Sequence, residues 1–242
     1  MALVFGEVAA LYDDVRPGYR AELRQAIGER APAGPAVDIG AGTGKGTEVL
    51  LAIRDEVTAI EPDPRMAAVL RAKFPAVDVL ESTFEEWTPP PGGAGLLACA
   101  MAWHWMDAAT RNQRAAAALA PEGVLAVFGH RFAYADEAQS AAIGEVFDRA
   151  RRDVPMRPEH WIADDVRGSG VWASVDELEW REDRPLSTEG YLDLTRTFSP
   201  FRRHSPELQR RVLDDLRATI DGFGGTIALD LRTSLVLAVR HR

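Results

Sequence analysis

The chain has 242 residues, enough for one large domain with a substantial core, and its 28 Lys and Arg against 37 Asp and Glu give a formal net charge of −9 at pH 7. This charge argues against a nucleic-acid partner, because a phosphate backbone selects basic surfaces. The single cysteine, Cys99, excludes a disulfide within the chain; with no apolar run of the ~20 residues that span a membrane and no basic signal-peptide start, we expect a cytoplasmic protein without a membrane partner.

Residues 1–20 form a polar and aromatic N-terminal arm, which precedes a predicted helix from Ala21 to about Gly28. Composition alone favours an arm whose aromatic side chains, Tyr12 and Tyr19 among them, pack on the domain.

The stretch Val37–Gly46 reads VDIGAGTGKG and predicts a strand, a glycine turn and a helix. Gly40, Gly42 and Gly44 allow the backbone to turn sharply and to approach a ligand without intervening side chains. We therefore predict the first strand–helix unit of an open α/β sheet, with an anionic group welcome at the free N–H groups of the helix.

Two other glycine motifs compete with this interpretation. A P-loop requires Ser or Thr after its lysine, whereas Lys45 is followed by Gly46, so that reading fails. The even spacing of the glycines also departs from the dinucleotide fingerprint, which disfavours NAD binding without excluding it. By itself the turn fits a cofactor site and a tight structural connection equally well.

The second predicted strand, Val57–Ile60, ends at Glu61. An acid at this strand end suits a nucleoside ligand, because one carboxylate can accept hydrogen bonds from both ribose hydroxyls. Asp63 is a good N-cap for the helix that follows, with Pro64 at its first position.

The third and fourth predicted strands, over Ala76–Glu81 and Gly95–Ala102, also end in candidate site residues. Thr83 and Phe84 follow the third strand, where an adenine ring would stack or form hydrogen bonds with the backbone. Phe84 would equally well cover the edge of the core. Trp103 and His104 follow the fourth, and the imidazole there would orient a substrate, take its proton, or serve the structure.

The second half of the chain departs from regular alternation of strands and helices. A fifth strand is predicted over Val124–Phe128, with His130 just beyond it, and residues 131–170 are predicted to insert a cap containing Trp161 over the carboxyl ends of the strands. An edge strand is predicted over Val171–Leu186 and a short helix over Tyr191–Phe198. An Arg-rich loop with Arg202 and Arg203 is predicted over Ser199–His204. A helix capped by Ser205 is predicted from Pro206 onward, and a last strand over Ile227–Val239.

Four stretches together resemble the class I S-adenosylmethionine-dependent methyltransferases, in the small-molecule branch that includes trans-aconitate methyltransferase. They are Asp38-x-Gly40-x-Gly42-x-Gly44, Glu61-Pro62-Asp63, Trp103-His104-Trp105, and the arm from Tyr12 to Tyr19. The resemblance implies a single domain over residues 1–242. It also implies a Rossmann-like open sheet of seven strands, the last antiparallel and inserted before the sixth, with helices on both faces and a small helical cap.

The resemblance also implies the cofactor, S-adenosylmethionine, with S-adenosylhomocysteine as product and no metal. Asp38, Gly40 and Gly42 would surround the methionine moiety, and Glu61 would hold the ribose. The other implied cofactor contacts are Tyr12 and Arg16 from the arm, Ala41, Pro62 and Met66, Thr83 and Phe84, and Met101. Thr83 stands where the branch usually has an acid for the adenine amino group, and Met101 replaces a common polar residue.

We expect a methyl group to pass from this cofactor to a small-molecule acceptor, with His104 facing the methyl. A carboxylate acceptor would need a cationic clamp such as Arg202 or Arg203, whereas a hydroxyl or amine would benefit from His104 as base. Further expected substrate contacts are Trp103, His130 and Trp161. The alternatives are an NAD(P)-dependent oxidoreductase on a related fold and a non-catalytic binding protein, and we expect a monomer or homodimer.

Overall fold

The fold is built around a seven-stranded sheet with strand order β3-β2-β1-β4-β5-β7-β6. A computed structural model describes residues 5–150 and 158–242. The first four residues of the predicted arm and residues 151–157 of the predicted cap lie outside the described residues. The seven strands are β1 Ala36–Ile39, β2 Val57–Ile60, β3 Asp78–Leu80, β4 Ala94–Ala100, β5 Leu119–Tyr134, β6 Trp172–Ser187 and β7 Thr226–Arg240.

Helices cover the sheet and continue beyond its carboxyl edge. Those of the described residues are α1 Ala9–Val15, α2 Ala21–Arg30, α3 Lys45–Leu51, α4 Pro64–Lys73, α5 Arg111–Ala118, α6 Glu137–Arg149, α7 Trp161–Gly168, α8 Thr188–Arg196, α9 Ser199–Arg202 and α10 Pro206–Gly222. None of these helices has the length and apolar character needed to cross a membrane.

The core lies on both faces of the parallel strands. Leu97 and Cys99 of β4 contribute to one buried cluster and Leu96 and Ala98 to another, because successive side chains of a strand point to opposite faces. Helices α2 and α3 pack on the second face, while α5 and α7 pack on the first. Such double coverage explains the almost unbroken apolar sequence of β4.

The predicted sheet topology is confirmed. Strands β1 to β5 run parallel, and β7 lies antiparallel between β5 and β6. Strand β6 is an edge strand with alternating exposure, as its sequence pattern predicts. Asp63 caps α4 by accepting from the Arg65 N–H at 3.0 Å, with Pro64 at the first helical position.

The predicted end of the fifth strand at Phe128 is wrong, because β5 continues to Tyr134. Its pairing with β4 ends at Phe128, but its antiparallel pairing with β7 runs from Val124 to Tyr134. We call residues 129–134 the β5 extension. His130 therefore lies within a strand, and β7 supplies the backbone partners that keep this segment extended.

In the part of the predicted cap that the structure describes, two helices have different packing. Helix α6 joins α8 and α10 in a third buried cluster beside the β5 extension. Helix α7 instead buries Ala163 and Val166 in the core beneath the sheet. The Arg-rich segment predicted as a loop contains the short helix α9.

Candidate functional site

A cavity of about 1190 Å³ runs along the carboxyl ends of β1, β2 and β4 and past the β5 extension. It exceeds the roughly 300–1,000 Å³ of typical small-molecule pockets, so it has room for two ligands side by side. The predicted site residues that line it are Tyr12, Arg16, Gly40, Gly42, Glu61, Pro62, Met66, Thr83, Phe84, Met101 and His104.

The glycine turn after β1 forms one wall of this cavity. Gly40, Gly42 and Gly44 have φ values of 66°, 58° and 96°, in the left-handed region that favours glycine. The N–H groups of Gly40 and Ala41 both donate to the Ile60 carbonyl, at 2.9 and 3.0 Å, which ties the turn to the end of β2. The turn is thereby fixed with its backbone facing the cavity.

Glu61 connects the turn to the next strand–helix unit. Its Oε2 accepts from the Gly42 N–H at 2.8 Å, and its Oε1 accepts from the Asp63 N–H at 2.8 Å. Burial raises the pKa of this carboxyl, which is 6% exposed. Since each carboxylate oxygen has a second lone pair, Glu61 can still accept hydrogen bonds from two ligand hydroxyls.

Asp38 lies beneath the turn, fully buried, and does not line the cavity. Its Oδ2 accepts from the Thr47 hydroxyl at 2.7 Å, which joins β1 to α3, whereas its Oδ1 has no hydrogen-bond partner in the described structure. Burial raises the pKa of Asp38 to about 7. Asp38 therefore supports the turn from below, and its predicted contact with methionine stays a prediction.

The arm places a cation against the cavity. Arg16 Nε donates to the Thr197 hydroxyl at 2.8 Å, and its guanidinium lies 5.0, 5.6 and 4.9 Å from the ring centres of Tyr12, Phe132 and Phe198. Within the described part of the chain, no carboxylate oxygen lies within 4.0 Å of it. Burial lowers the pKa of this guanidinium. A group that lines the cavity with an unpaired positive charge can bind a ligand carboxylate.

Two strained or aromatic features mark the carboxyl end of β4. Met101 has φ 58°, unusual outside glycine, and its Sδ accepts from the His130 N–H at 3.0 Å. His104 follows in a short 3₁₀ turn, with its ring 4.6 Å from Trp105 and 6.5 Å from Trp161. His104 therefore faces the cavity from an aromatic surround.

A second cavity of about 440 Å³ adjoins the first. It shares Met101, His104 and Trp105 with the larger cavity, among other residues. Four of the predicted substrate contacts line only this smaller cavity, namely Trp103, His130, Trp161 and Arg203.

The predicted substrate contacts Trp103, His130 and Arg202 are engaged in hydrogen bonds or ion pairs within the fold. Trp103 is buried and donates from Nε1 to Asp165 at 2.9 Å. His130 Nε2 lies 3.2 Å from the Gly18 carbonyl and Nδ1 3.0 Å from the Thr233 hydroxyl, while burial lowers its pKa to about 4. Neutral His130 therefore donates to Gly18 and accepts from Thr233. Arg202 is paired with Glu7 and lines neither cavity.

The apolar end of the main cavity is formed by residues that were not among the predicted site residues. Its aromatic wall comes from the β5 extension, α6, α8, α9 and the segment between the last two; the residues are Phe132, Tyr134, Phe147, Tyr191, Phe198 and Phe201. We call this part of the cavity the aromatic chamber. The alternation of Phe132 and Tyr134 was the available signal, because it indicates one face of an extended strand.

Comparison with known proteins finds similarity to methyltransferases. Residues 36–123 match the methyltransferase domain family. An uncharacterized methyltransferase of Mycobacterium tuberculosis is 38% identical over 127 residues, which cover 52% of this chain and 51% of that protein. Trans-aconitate 2-methyltransferase of Rhizobium meliloti is 37% identical over 99 residues, covering 40% of this chain and 38% of that protein. The chain thus spans about half the length, or less, of these curated relatives.

A solved structure extends the likeness to nearly the whole chain. Phosphoethanolamine N-methyltransferase 2 of Haemonchus contortus, in complex with phosphomonomethylethanolamine and S-adenosylhomocysteine, superposes with a TM-score of 0.56 at 12% identity. The superposition covers 98% of this chain and 58% of that one. Residues 36–123 therefore match a methyltransferase domain, and the described chain shares the fold of this solved methyltransferase.

Proposed function

We propose that the chain transfers a methyl group from S-adenosylmethionine to a small-molecule acceptor. The observation that carries the proposal is the link between the glycine turn and Glu61, through the 2.8 Å hydrogen bond from the Gly42 N–H. It sets a bare backbone wall and a two-acceptor carboxylate side by side in one cavity. This donor and acceptor set suits a nucleoside joined to an amino acid.

The cavity residues divide along the length of such a ligand. Glu61 would hold the ribose hydroxyls, and Thr83 and Phe84 would flank the adenine beyond β3. The turn residues would contact the methionine moiety, and Arg16 would bind its carboxylate. Ala41, Pro62, Met66 and Met101 remain proposed cofactor contacts, of which Pro62, Met66 and Met101 line the cavity.

When bound, S-adenosylmethionine supplies an electrophilic methyl group on a sulfonium. The contribution of the chain is to align the acceptor and to exclude water. His104 lines the cavity at the end of β4 and would hold an acceptor in place or take its proton. The carboxylate clamp expected of Arg202 lacks support, because this side chain pairs with Glu7 outside the cavity.

We extend the proposal to the organisation of the chain. The arm, the sheet and the helices α6 to α10 would form one methyltransferase unit, in which α6 and α8 to α10 close the acceptor end. A small molecule is the proposed partner, consistent with an enclosed cavity and a net charge of −9.

The test is binding of S-adenosylhomocysteine by titration calorimetry. Glu61→Gln keeps the size of the side chain but removes its charge and one acceptor oxygen. We expect it to weaken binding about tenfold or more. The matched control is Glu81→Gln, an exposed acid at the end of β3. Unchanged affinity in Glu61→Gln would contradict the proposed ribose site.

The same preparations separate the alternatives. NAD and NADP should give no saturable heat, whereas tight NAD binding without S-adenosylhomocysteine binding would favour an oxidoreductase. A non-catalytic binding protein would bind S-adenosylhomocysteine but transfer no labelled methyl group to any compound of a metabolite extract. Appearance of a labelled product would dispose of that alternative.

A further inference from the structure

The aromatic chamber identifies the class of acceptor, an inference that rests on the proposed function. The chamber is lined by elements other than those that carry Glu61 and Thr83. Its walls are the side chains of the β5 extension, α6, α8 and α9, all part of or beside the third buried cluster. The proposed cofactor contacts are on other elements, and among them Arg16 packs against Phe132 and Phe198 of the chamber. The rest of the chamber is the space left for the acceptor.

The walls of the chamber are aromatic rings packed against one another. Phe132 and Phe198 lie 5.6 Å apart between ring centres with a 53° tilt, and Tyr134 and Tyr191 lie 6.3 Å apart with a 45° tilt. Ser140, Gly144 and Phe147 of α6 recur at helical spacing and present one face to the cavity. Aromatic walls of this kind favour an aromatic guest through stacked and edge-to-face contacts.

Two of the aromatic side chains of the chamber carry hydroxyl groups. Tyr134 and Tyr191 form a hydrogen bond between their hydroxyl groups, in which either oxygen can be the donor. A hydroxyl pair of this type can donate to or accept from a guest hydroxyl without a net charge.

The charges at the border of the chamber are not arranged for a polyanion. Arg131 and Arg232 both pair with Glu159, at 3.3 and 2.9 Å, and Arg232 also pairs with Asp230 at 2.8 Å. Arg16 is held by Thr197 and is the proposed partner of the methionine carboxylate. A di- or tricarboxylate in the chamber would be desolvated against aromatic rings without enough cations to neutralise it.

We propose that the acceptor is an aromatic compound with a phenolic hydroxyl and that the product is its methyl ether. A phenol has a pKa of about 10 and is protonated at neutral pH, so its oxygen needs a proton acceptor as it reacts. The oxygen forms a bond to the methyl carbon, and the carbon–sulfur bond breaks with its electron pair kept by sulfur. The hydroxyl proton passes to the imidazole of His104, at the end of β4.

A larger residue substituted at Gly144 would fill part of the chamber. Apart from the backbone of its own helix, no atom of the described residues lies within 4 Å of a Cβ added at Gly144. Because Gly144 also lines the cavity, Gly144→Leu places a side chain into the chamber. Gly168 in α7 has the same free space but does not line the cavity, which makes Gly168→Leu the matched control. Both changes replace a helical glycine and therefore favour the helix.

The probes are naphthol, naphthoic acid and citrate, each titrated into wild type and both variants, with and without S-adenosylhomocysteine. We expect naphthol to bind at least about tenfold more tightly than either acid. Gly144→Leu should weaken naphthol about tenfold or more while leaving S-adenosylhomocysteine affinity unchanged, and Gly168→Leu should change neither. Tighter binding of naphthoic acid or citrate, no naphthol binding, or full affinity in Gly144→Leu would overturn the inference.

Two further readouts keep the inference distinct from the proposed function. If Gly144→Leu does not fold, Phe198→Ala removes a chamber wall instead and should weaken naphthol about tenfold. If naphthol binds in a Gly144-dependent way but S-adenosylhomocysteine does not bind, the chamber assignment stands and the methyltransferase proposal fails. The reverse pattern leaves the methyltransferase proposal intact and rejects the phenolic acceptor.

Discussion

Gly40 and Ala102 lie so close that a Cβ added at Gly40 would be 2.5 Å from the Ala102 Cβ. The end of β1 and the residues after β4 are therefore in direct contact at the floor of the cavity. No side chain larger than hydrogen fits between them. The glycine at this position is required by packing as well as by its φ of 66°.

Replacement of Gly40 should destabilise the chain more than its backbone angle alone explains. We expect Gly40→Ala to lower the free energy of unfolding by about 3 kcal/mol, since strain and overpacking add. Gly92→Ala is the matched control, because Gly92 also has positive φ, 84°, but no described residue other than its chain neighbours comes within 4 Å of an added Cβ. It should cost about 1 kcal/mol. Equal losses in urea unfolding would show that Ala102 is not a rigid neighbour.

Asp38 should make stability fall as pH rises. Its pKa is about 7 when folded, against an ordinary value of 3.8, so between these values the folded chain holds a proton that the unfolded chain has released. The stability present at low pH is lost progressively up to about pH 7. Over the two units from pH 5 to pH 7, at about 1.4 kcal/mol per unit, the loss is roughly 3 kcal/mol.

The measurement is urea unfolding of wild type and Asp38→Asn at pH 5 and pH 8. An amide oxygen can still accept from Thr47, so the variant should gain on wild type by roughly 3 kcal/mol between the two pH values. Comparing the two proteins at each pH removes the opposite contribution of His130, whose pKa is lowered to about 4. The exposed Asp55→Asn should show no such gain. A pH-independent difference in Asp38→Asn would mean that Asp38 is ionised when folded.

Arg16 should recognise the carboxylate of the cofactor and no other part of it. We expect Arg16→Met to weaken S-adenosylhomocysteine about tenfold or more, because a charge-assisted hydrogen bond is lost. Methylthioadenosine lacks the amino-acid end, so its affinity should be the same in the variant and in wild type. Titration calorimetry with both ligands makes the comparison. Equal loss for both would mean that the variant disturbs the arm instead.

The first half of the chain could be predicted because its signals are local. The turn glycines, the cap at Asp63 and the acid at Glu61 each depend on neighbours a few residues away, and the structure brings Glu61 to the turn as the topology requires. The surroundings of Arg202 and His130 could not be predicted in this way. Arg202 pairs with Glu7, and His130 contacts Gly18 and Thr233, so each environment is set by residues more than 100 positions away.

The extent of β5 illustrates the same limit. The alternation of Phe132 and Tyr134 is a weak local signal, and the partner that fixes Gly129–Tyr134 as a strand, Leu229–Ser234, comes about a hundred residues later. The aromatic chamber depends on this pairing, because the β5 extension carries Phe132 and Tyr134. Contacts of this kind form the aromatic chamber and cannot be predicted from a local sequence pattern.

The β5 extension also separates the two halves of the cavity along the chain. The methyltransferase domain match ends at residue 123, before the extension, and includes the glycine turn, Glu61 and His104. The aromatic residues that form the chamber walls all lie after residue 123. Substitutions in the chamber therefore leave the residues of the domain match unaltered, so the two ends of the cavity can vary independently in sequence.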